Sequence, residues 1–282
     1  PFNHPLDKWD TKDVLEMSSI FTNNTAFNQD ISGWNVANVT NMSGMFKGDV
    51  SFNQPLNDWN TGNVQFINSM FKNAPNFNQP LDKWNLANAT DMSSMFKCET
   101  DVSDSVFNQD ISGWNVANVT RMANMFDGAK LFNQPLNTWD NSKLTDSSYM
   151  LERTQFNQPM NNWLKPSITT VQGMFEGTPF NQDITNWVMD NVTDIAYLFK
   201  DNNVFNQNIN GWNVANVTDM TQVFGSAIVF NQDISGWNVS NVTSMAGMFN
   251  VAHSFNQPLN NWNTNNLLDV NLMFYDANSF NQ

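Results

Sequence analysis

The sequence predicts an α/β repeat solenoid, with one short parallel strand and one short helix in each 24–30-residue unit. Three observations carry that expectation. A Phe-Asn-Gln tripeptide recurs at near-constant intervals, Trp keeps one place within the interval, and an apolar stripe of helical spacing follows each Trp. Self-similarity at a fixed period of about 20–50 residues marks stacked repeats, in which no unit buries its own apolar face alone.

The tripeptide begins at Phe2 (with His4 in the third place), Phe27, Phe52, Phe77, Phe107, Phe132, Phe156, Phe180, Phe205, Phe230, Phe255 and Phe280. The intervals are 25, 25, 25, 30, 25, 24, 24, 25, 25, 25 and 25 residues, so residues 1–282 read as one array of eleven repeats and the start of a twelfth. With Phe as position 1, the unit reads F-N-Q-[PD]-[LI]-x-x-W-[ND]-[VT]-x-N-V-T-D-M-S-x-M-F and closes on a short polar turn. All 11 Trp fall at position 8: Trp9, Trp34, Trp59, Trp84, Trp114, Trp139, Trp163, Trp187, Trp212, Trp237 and Trp262. Of the 23 Phe, twelve are at position 1 and ten at position 20, with Phe66 out of phase.

The loop comes first in each unit. It has two spellings, Pro-Leu as at Pro5-Leu6 and Pro55-Leu56, or Asp-Ile followed by Gly as at Asp30-Ile31-Gly33. Pro presets one turn, while an Asp side chain and Gly build the other, so the two are interchangeable. The strand follows at positions 8–10, where Trp and Val or Thr alternate with Asn or Asp in the period of a half-buried strand. Stacking then pairs adjacent strands in parallel. Positions 13, 16, 19 and 20, as in Val39, Met42, Met45 and Phe46, have the spacing of one helix face. Thr40 suits the helix start, and Gly48, Gly128 and Gly177 stand where helices end.

Composition excludes several functions. The chain carries 12 Lys and Arg against 26 Asp and Glu, a net charge of −14. That argues against nucleic acid and against an anionic membrane surface. No apolar run approaches the ~20 residues of a membrane span, and no signal peptide opens the sequence. One cysteine, Cys98, and two histidines, His4 and His253, supply neither a disulfide framework nor a metal or acid–base cluster. No cofactor or metal is expected. No nucleophile–base pair, phosphate loop or metal motif is present, so an enzyme is not expected either.

The run F-N-Q-D-I-S-G-W-N-V-A-N-V-T-x-M, at Phe27–Met42 and Phe107–Met122, resembles the BspA-like repeats of bacterial surface proteins. These units of about 25 residues also occur in mycoplasma lipoproteins and are relatives of leucine-rich repeats. The resemblance covers essentially the whole chain. It implies a right-handed, leucine-rich-repeat-like rod, displayed on a cell surface or secreted and used in adhesion or protein binding. It transfers no catalytic residue.

Other features divide between structure and binding. One Trp per unit beside a polar neighbour reads as a core ladder rather than a sugar platform. Asn at position 2, from Asn3 to Asn281, reads as a ladder that satisfies backbone groups. Asn38, Asn118, Asn191, Asn216 and Asn241, and in related spellings Asn23, Asn41, Asn88 and Asn238, fit glycan acceptors if a eukaryote secretes the chain. Capping explains the same Asn and Thr more simply. An acidic insertion over residues 98–106 brings Glu99, Asp101 and Asp104 together without the spacing of a calcium loop. On the outward side of the strand, position 9 is polar except at Leu164 and Val188. That pair, with Asp140 and Asn213 beside it and Lys165 and Met189 next in sequence, is the candidate binding patch.

The reading favoured is a non-enzymatic surface or secreted module whose partner is another protein or further copies of itself. The alternative is a structural subunit of a surface layer, appendage or filament. An ice- or mineral-binding surface, resting on Asn and Thr two apart in register, ranks third.

Overall fold

The computed structural model describes residues 2–100 and 104–282, so Asp101 of the acidic insertion lies outside the described residues. Contacts divide the chain into two compact units, Pro1–Lys143 and Leu144–Gln282. Both are built from a 24–25-residue stacking step, with one 30-residue step in the first unit, visible in the equivalent bonds that span it.

The predicted α/β architecture is not what forms. Among the described residues 0% are helical and 4% are strand, which overturns the helix per unit and with it the leucine-rich-repeat-like layout. The strand is also misplaced. Parallel bridges link single residues at position 15: Glu16, Asn41, Phe66, Asp91 and Arg121 in the first unit, and Asp146, Thr170, Asp194, Asp219, Ser244 and Asp269 in the second. Around position 8 the backbone turns instead, with the Trp34 N–H on the Ile31 carbonyl at 3.0 Å.

What replaces the helix is a ribbon of consecutive turns. The Met45 N–H donates to Met42 O, Lys47 N–H to Gly44 O and Asp49 N–H to Phe46 O, at 3.2, 3.1 and 3.0 Å. Between these, alternate N–H groups point along the stack to the next repeat. Met17 donates to Asn41 O, Ser19 to Ser43 O, Phe21 to Met45 O and Asn23 to Lys47 O, at 2.7–2.9 Å. In the second unit Val171, Gly173, Phe175 and Gly177 do the same to Asp194, Ala196, Leu198 and Lys200. An α-helix would spend those N–H groups inside its own turn.

The cause is local and legible in φ. Position 18 is left-handed in all eleven repeats, with φ from 50° at Gln222 to 62° at Tyr197, and position 22 is left-handed at residues such as Gly48 (72°) and Gly128 (74°). Left-handed residues cannot continue a right-handed helix. The Gly residues read as helix ends therefore serve the turns. Two helical turns of Asn, Ser, Thr and β-branched residues would in any case be marginal.

Turning at positions 18 and 22 keeps positions 16, 19 and 20 inward. Phe46 stacks on Phe52 at 3.8 Å, Phe52 on Phe27 at 6.1 Å, and Phe46 on Phe71 at 5.5 Å. The second unit repeats the arrangement at Phe199–Phe205, 3.8 Å, and Phe180–Phe205, 6.5 Å. Nine of the eleven Trp are buried, whereas Trp9 is 56% exposed and Trp262 is half-buried. Within each unit Trp rings stack parallel on one another, as Trp114 does on Trp139 at 6.2 Å and Trp187 on Trp212 at 5.9 Å, and Trp34 Nε1–H donates to the Leu6 carbonyl at 3.1 Å. That bond lets an indole be buried with its polar edge satisfied.

Gly48→Ala separates a turn ribbon from a helix end. In the ribbon a Cβ at φ +72° is strained and collides with the Asn23 side-chain oxygen. The expected loss is about 1–2 kcal/mol in urea unfolding of the first unit. A gain in stability would contradict the turn geometry.

Candidate binding surface

The patch proposed from position 9 does not assemble. Leu164 is only 4% exposed, while Val188 is 37% exposed, so the two do not form an apolar pair on the surface. The reason is Lys165. It occupies position 10, where Met189 and Val214 are buried in their repeats. An ammonium is costly to bury unpaired, so Lys165 stays half-exposed and Leu164 turns in to fill the gap. Met189, expected at the rim, is 1% exposed and belongs to the core. Asn213 is exposed and donates from Nδ2 to Asp190 Oδ1 at 2.7 Å. Asp140 belongs to the first unit, where its Oδ1 accepts the Ser142 N–H at 3.1 Å.

The two Asn families are occupied structurally. At position 2, Asn28 Oδ1 accepts both the Asn53 N–H and Gln54 Nε2–H at 3.0 Å, and Asn181 Oδ1 does so for Asn206 and Gln207. These amides are half-buried or exposed rather than buried. At position 12, the side-chain amides of Asn38, Asn118, Asn191, Asn216 and Asn241 donate to a carbonyl of the preceding repeat at 2.7–2.8 Å. Position 14 behaves alike, with the hydroxyl of Thr193 on Thr169 O and of Thr218 on Thr193 O. A surface of ice-binding type would find these donor hydrogens already committed.

Near the insertion, Glu99 pairs with Lys72 at 2.7 Å and Asp104 with Lys130 at 2.8 Å. Among the described residues no three His, Cys, Asp or Glu side chains gather as a metal site. His253 Nε2 is 3.4 Å from Asp276 Oδ2, both half-exposed, and His4 makes an edge contact with Phe2.

The chemically distinctive surface is elsewhere, on the outward turns of positions 18–25 in the second unit. In the first unit position 18 holds Ser19, Gly44, Ser69, Ser94 and Asn124, all short. In the second it holds Tyr149, Gly173 and Tyr197 in succession. The Tyr149 ring lies over Gly173, where any Cβ would run into it. Beside this row position 21 presents Glu152, Glu176 and Lys200, and position 22 presents Arg153, Gly177 and Asp201.

Lys200 ties the cluster together. Its ammonium is 2.6 Å from Glu176 Oε1, 3.4 Å from Asp201 Oδ2 and 5.8 Å from the centroid of the Tyr197 ring. Arg153 Nε lies 3.4 Å from Glu152 Oε1. Burial raises the Glu176 pKa, against the hydrogen bond and charge of Lys200. Burial works against the Lys200 ammonium too, but Glu176 and Asp201 outweigh it and raise its pKa. Burial, followed by the negative charge of Glu176, likewise holds Tyr149 in its neutral form. A groove of about 220 Å³ adjoins these charges, lined by Gln155, Gly177, Thr178, Pro179, Asp201 and Val204. Val204 is 43% exposed there. Sequence reasoning passed over this face because position 18 reads as an unspecified residue in the consensus. The available signal was that two of the three Tyr share that position.

A family described as "Mycoplasma protein of unknown function, DUF285" matches residues 1–106, 102–187 and 169–282. The chain belongs to the DUF285 family. The three matches follow one another along the sequence and together span it, in keeping with a repeat family. No curated protein and no solved structure shows significant similarity to this DUF285 chain. Within the DUF285 repeats, the regular positions serve stacking, and the Tyr149–Lys200 face departs from them.

Proposed function

We propose that this chain is a non-enzymatic binding module, displayed on a cell surface or secreted, that recognises a protein partner through the Tyr149–Tyr197 face. The observation that carries the reading is the Tyr149–Gly173–Tyr197 row at position 18, where the first unit holds only Ser, Gly and Asn, with Glu176, Arg153 and Lys200 beside it. Tyr and Arg are the residue types that concentrate binding energy in protein interfaces, since they bring large contact areas and polar ends together. Rigid supports favour such a role. The backbone beneath the two rings is tied to the following repeat, the Tyr149 N–H to Gln172 O and the Tyr197 N–H to Thr221 O, so little ordering cost remains on binding. The resemblance of the repeat to BspA-like surface proteins supports the placement outside the cell.

The test is retention of labelled protein on cultured cells, with and without prior protease treatment of the cells. The combined Tyr149→Ser, Tyr197→Ser variant carries the short residue found at Ser69 and Ser94, and so is compatible with the turns. Retention sensitive to protease, and weakened about tenfold or more by the variant, is the expected result. Undiminished retention of the variant would remove this face from the reading. Retention indifferent to protease treatment would point to a non-protein partner and overturn the partner class.

A further inference from the structure

We propose that Asp49 is a protonated carboxyl in the folded chain, with its Oδ2–H donating to the Phe27 carbonyl, and that this bond is a pH-operated latch on the repeat that begins at Phe27. Asp49 is at position 23, and two other repeats place Asn there. Asn24 Nδ2 donates to Phe2 O at 2.8 Å, and Asn202 Nδ2 to Phe180 O at 2.9 Å, in each case the first residue of the same repeat. Asn202 Oδ1 meanwhile accepts the Val204 and Phe205 N–H groups at 3.1 and 3.0 Å.

Asp49 reproduces the accepting half of that pattern. Its Oδ1 takes the Ser51 N–H at 3.2 Å, and the Phe52 N–H also bonds to the carboxyl. The second oxygen, Oδ2, stands where Asn24 and Asn202 carry a donor. It is buried without a hydrogen-bond partner, and the residue as a whole is 0% exposed. A carboxylate oxygen and a carbonyl are both acceptors, so they cannot bond to each other unless a proton lies between them. Protonation supplies the missing donor and removes a buried charge in one step.

Among the described residues, the surroundings offer no counter-charge. The repeats on either side place Asn24 and Ala74 at the same position. Ser51 donates its hydroxyl to Thr25 O. Lys47 is exposed, and Lys72 is paired with Glu99 at 2.7 Å. Burial accordingly pushes the Asp49 pKa up to about 7, against the lowering effect of the Ser51 and Phe52 N–H groups, with no charged neighbour contributing.

The sign follows from the unfolded value of 3.8. Between that value and about 7 the unfolded chain sheds a proton that the folded chain keeps, so stability declines as pH rises. Above about 7 the folded carboxyl ionises as well, the latch opens, and the contribution levels off.

Asp49→Asn installs the donor permanently. Hydrogen exchange of the Ser51 and Phe52 amides, corrected for intrinsic pH dependence, is compared between wild type and variant from about pH 5 to pH 8. Exchange in the wild type is expected to become about a hundredfold faster relative to the variant over that range, with the Asp49 carboxyl carbon titrating near neutrality by NMR. Parallel pH profiles of the two proteins, or a carboxyl that titrates near pH 4, would overturn the latch. Asp49→Ala places there the residue found at Ala74 and Ala129, so it provides a second variant that lacks the proton if the Asn form folds poorly.

Discussion

Replacing Trp114 with Ala lowers the stability of the first unit by about 3–5 kcal/mol. The indole is 3% exposed and lies between Trp84 at 6.4 Å and Trp139 at 6.2 Å, with Phe96 at 6.5 Å and its own Nε1–H on the Leu81 carbonyl at 2.9 Å. Truncation removes the apolar burial, leaves a cavity in a stack of matched rings, and strands the carbonyl. Neighbouring repeats contribute the surfaces that line that cavity, so the loss should spread as fraying of the repeats that carry Trp84 and Trp139. Urea unfolding gives the magnitude, and limited proteolysis shows whether cleavage falls in those repeats. A Trp114→Ala chain as stable and as protease-resistant as wild type would mean that the Trp row is not part of the core.

The second large effect is expected in the Asn ladder. Asn53 Oδ1 accepts the Asn78 N–H at 3.0 Å and Gln79 Nε2–H at 3.2 Å, while the Asn53 N–H itself reaches Asn28 Oδ1 at 3.0 Å. Ala at this position keeps the lower bond and deletes the acceptor for the upper two. A half-buried backbone N–H that loses its acceptor costs about 1–3 kcal/mol. Hydrogen exchange of the Asn78 amide should accelerate accordingly, and Asn53→Asp, which retains an oxygen in place, should lose less. Equal losses for Ala and Asp would show that the side-chain NH2 matters more than the acceptor.

The failed helix and the missed surface each have a physical origin. Val39, Met42, Met45 and Phe46 face the same way in a helix and in the ribbon of turns, so their spacing does not distinguish the two. The difference is where the N–H groups of Met42, Gly44, Phe46 and Gly48 go, and their partners are carbonyls at Phe66, Asn68, Met70 and Lys72 in the next repeat. Bonds between repeats leave no trace in the periodicity of one repeat. Tyr149 and Tyr197 were equally hard to place, since position 18 has no residue preference in the repeat and so gives no signal of its own.

Repetition itself, the identity of the stacked aromatic rows and the Asn ladder follow from the sequence alone, because recurrence in register forces like residues onto like. The backbone path was decided by the tertiary structure. Left-handed residues at positions 18 and 22 direct alternate N–H groups to a neighbouring repeat, and a bond that requires the neighbour exists only once the stack has formed. The same holds for Leu164 and Asp49. Leu164 turns inward because Lys165 cannot, and Asp49 lacks a donor because the stack has closed over it, neither of which is a property of the residue by itself.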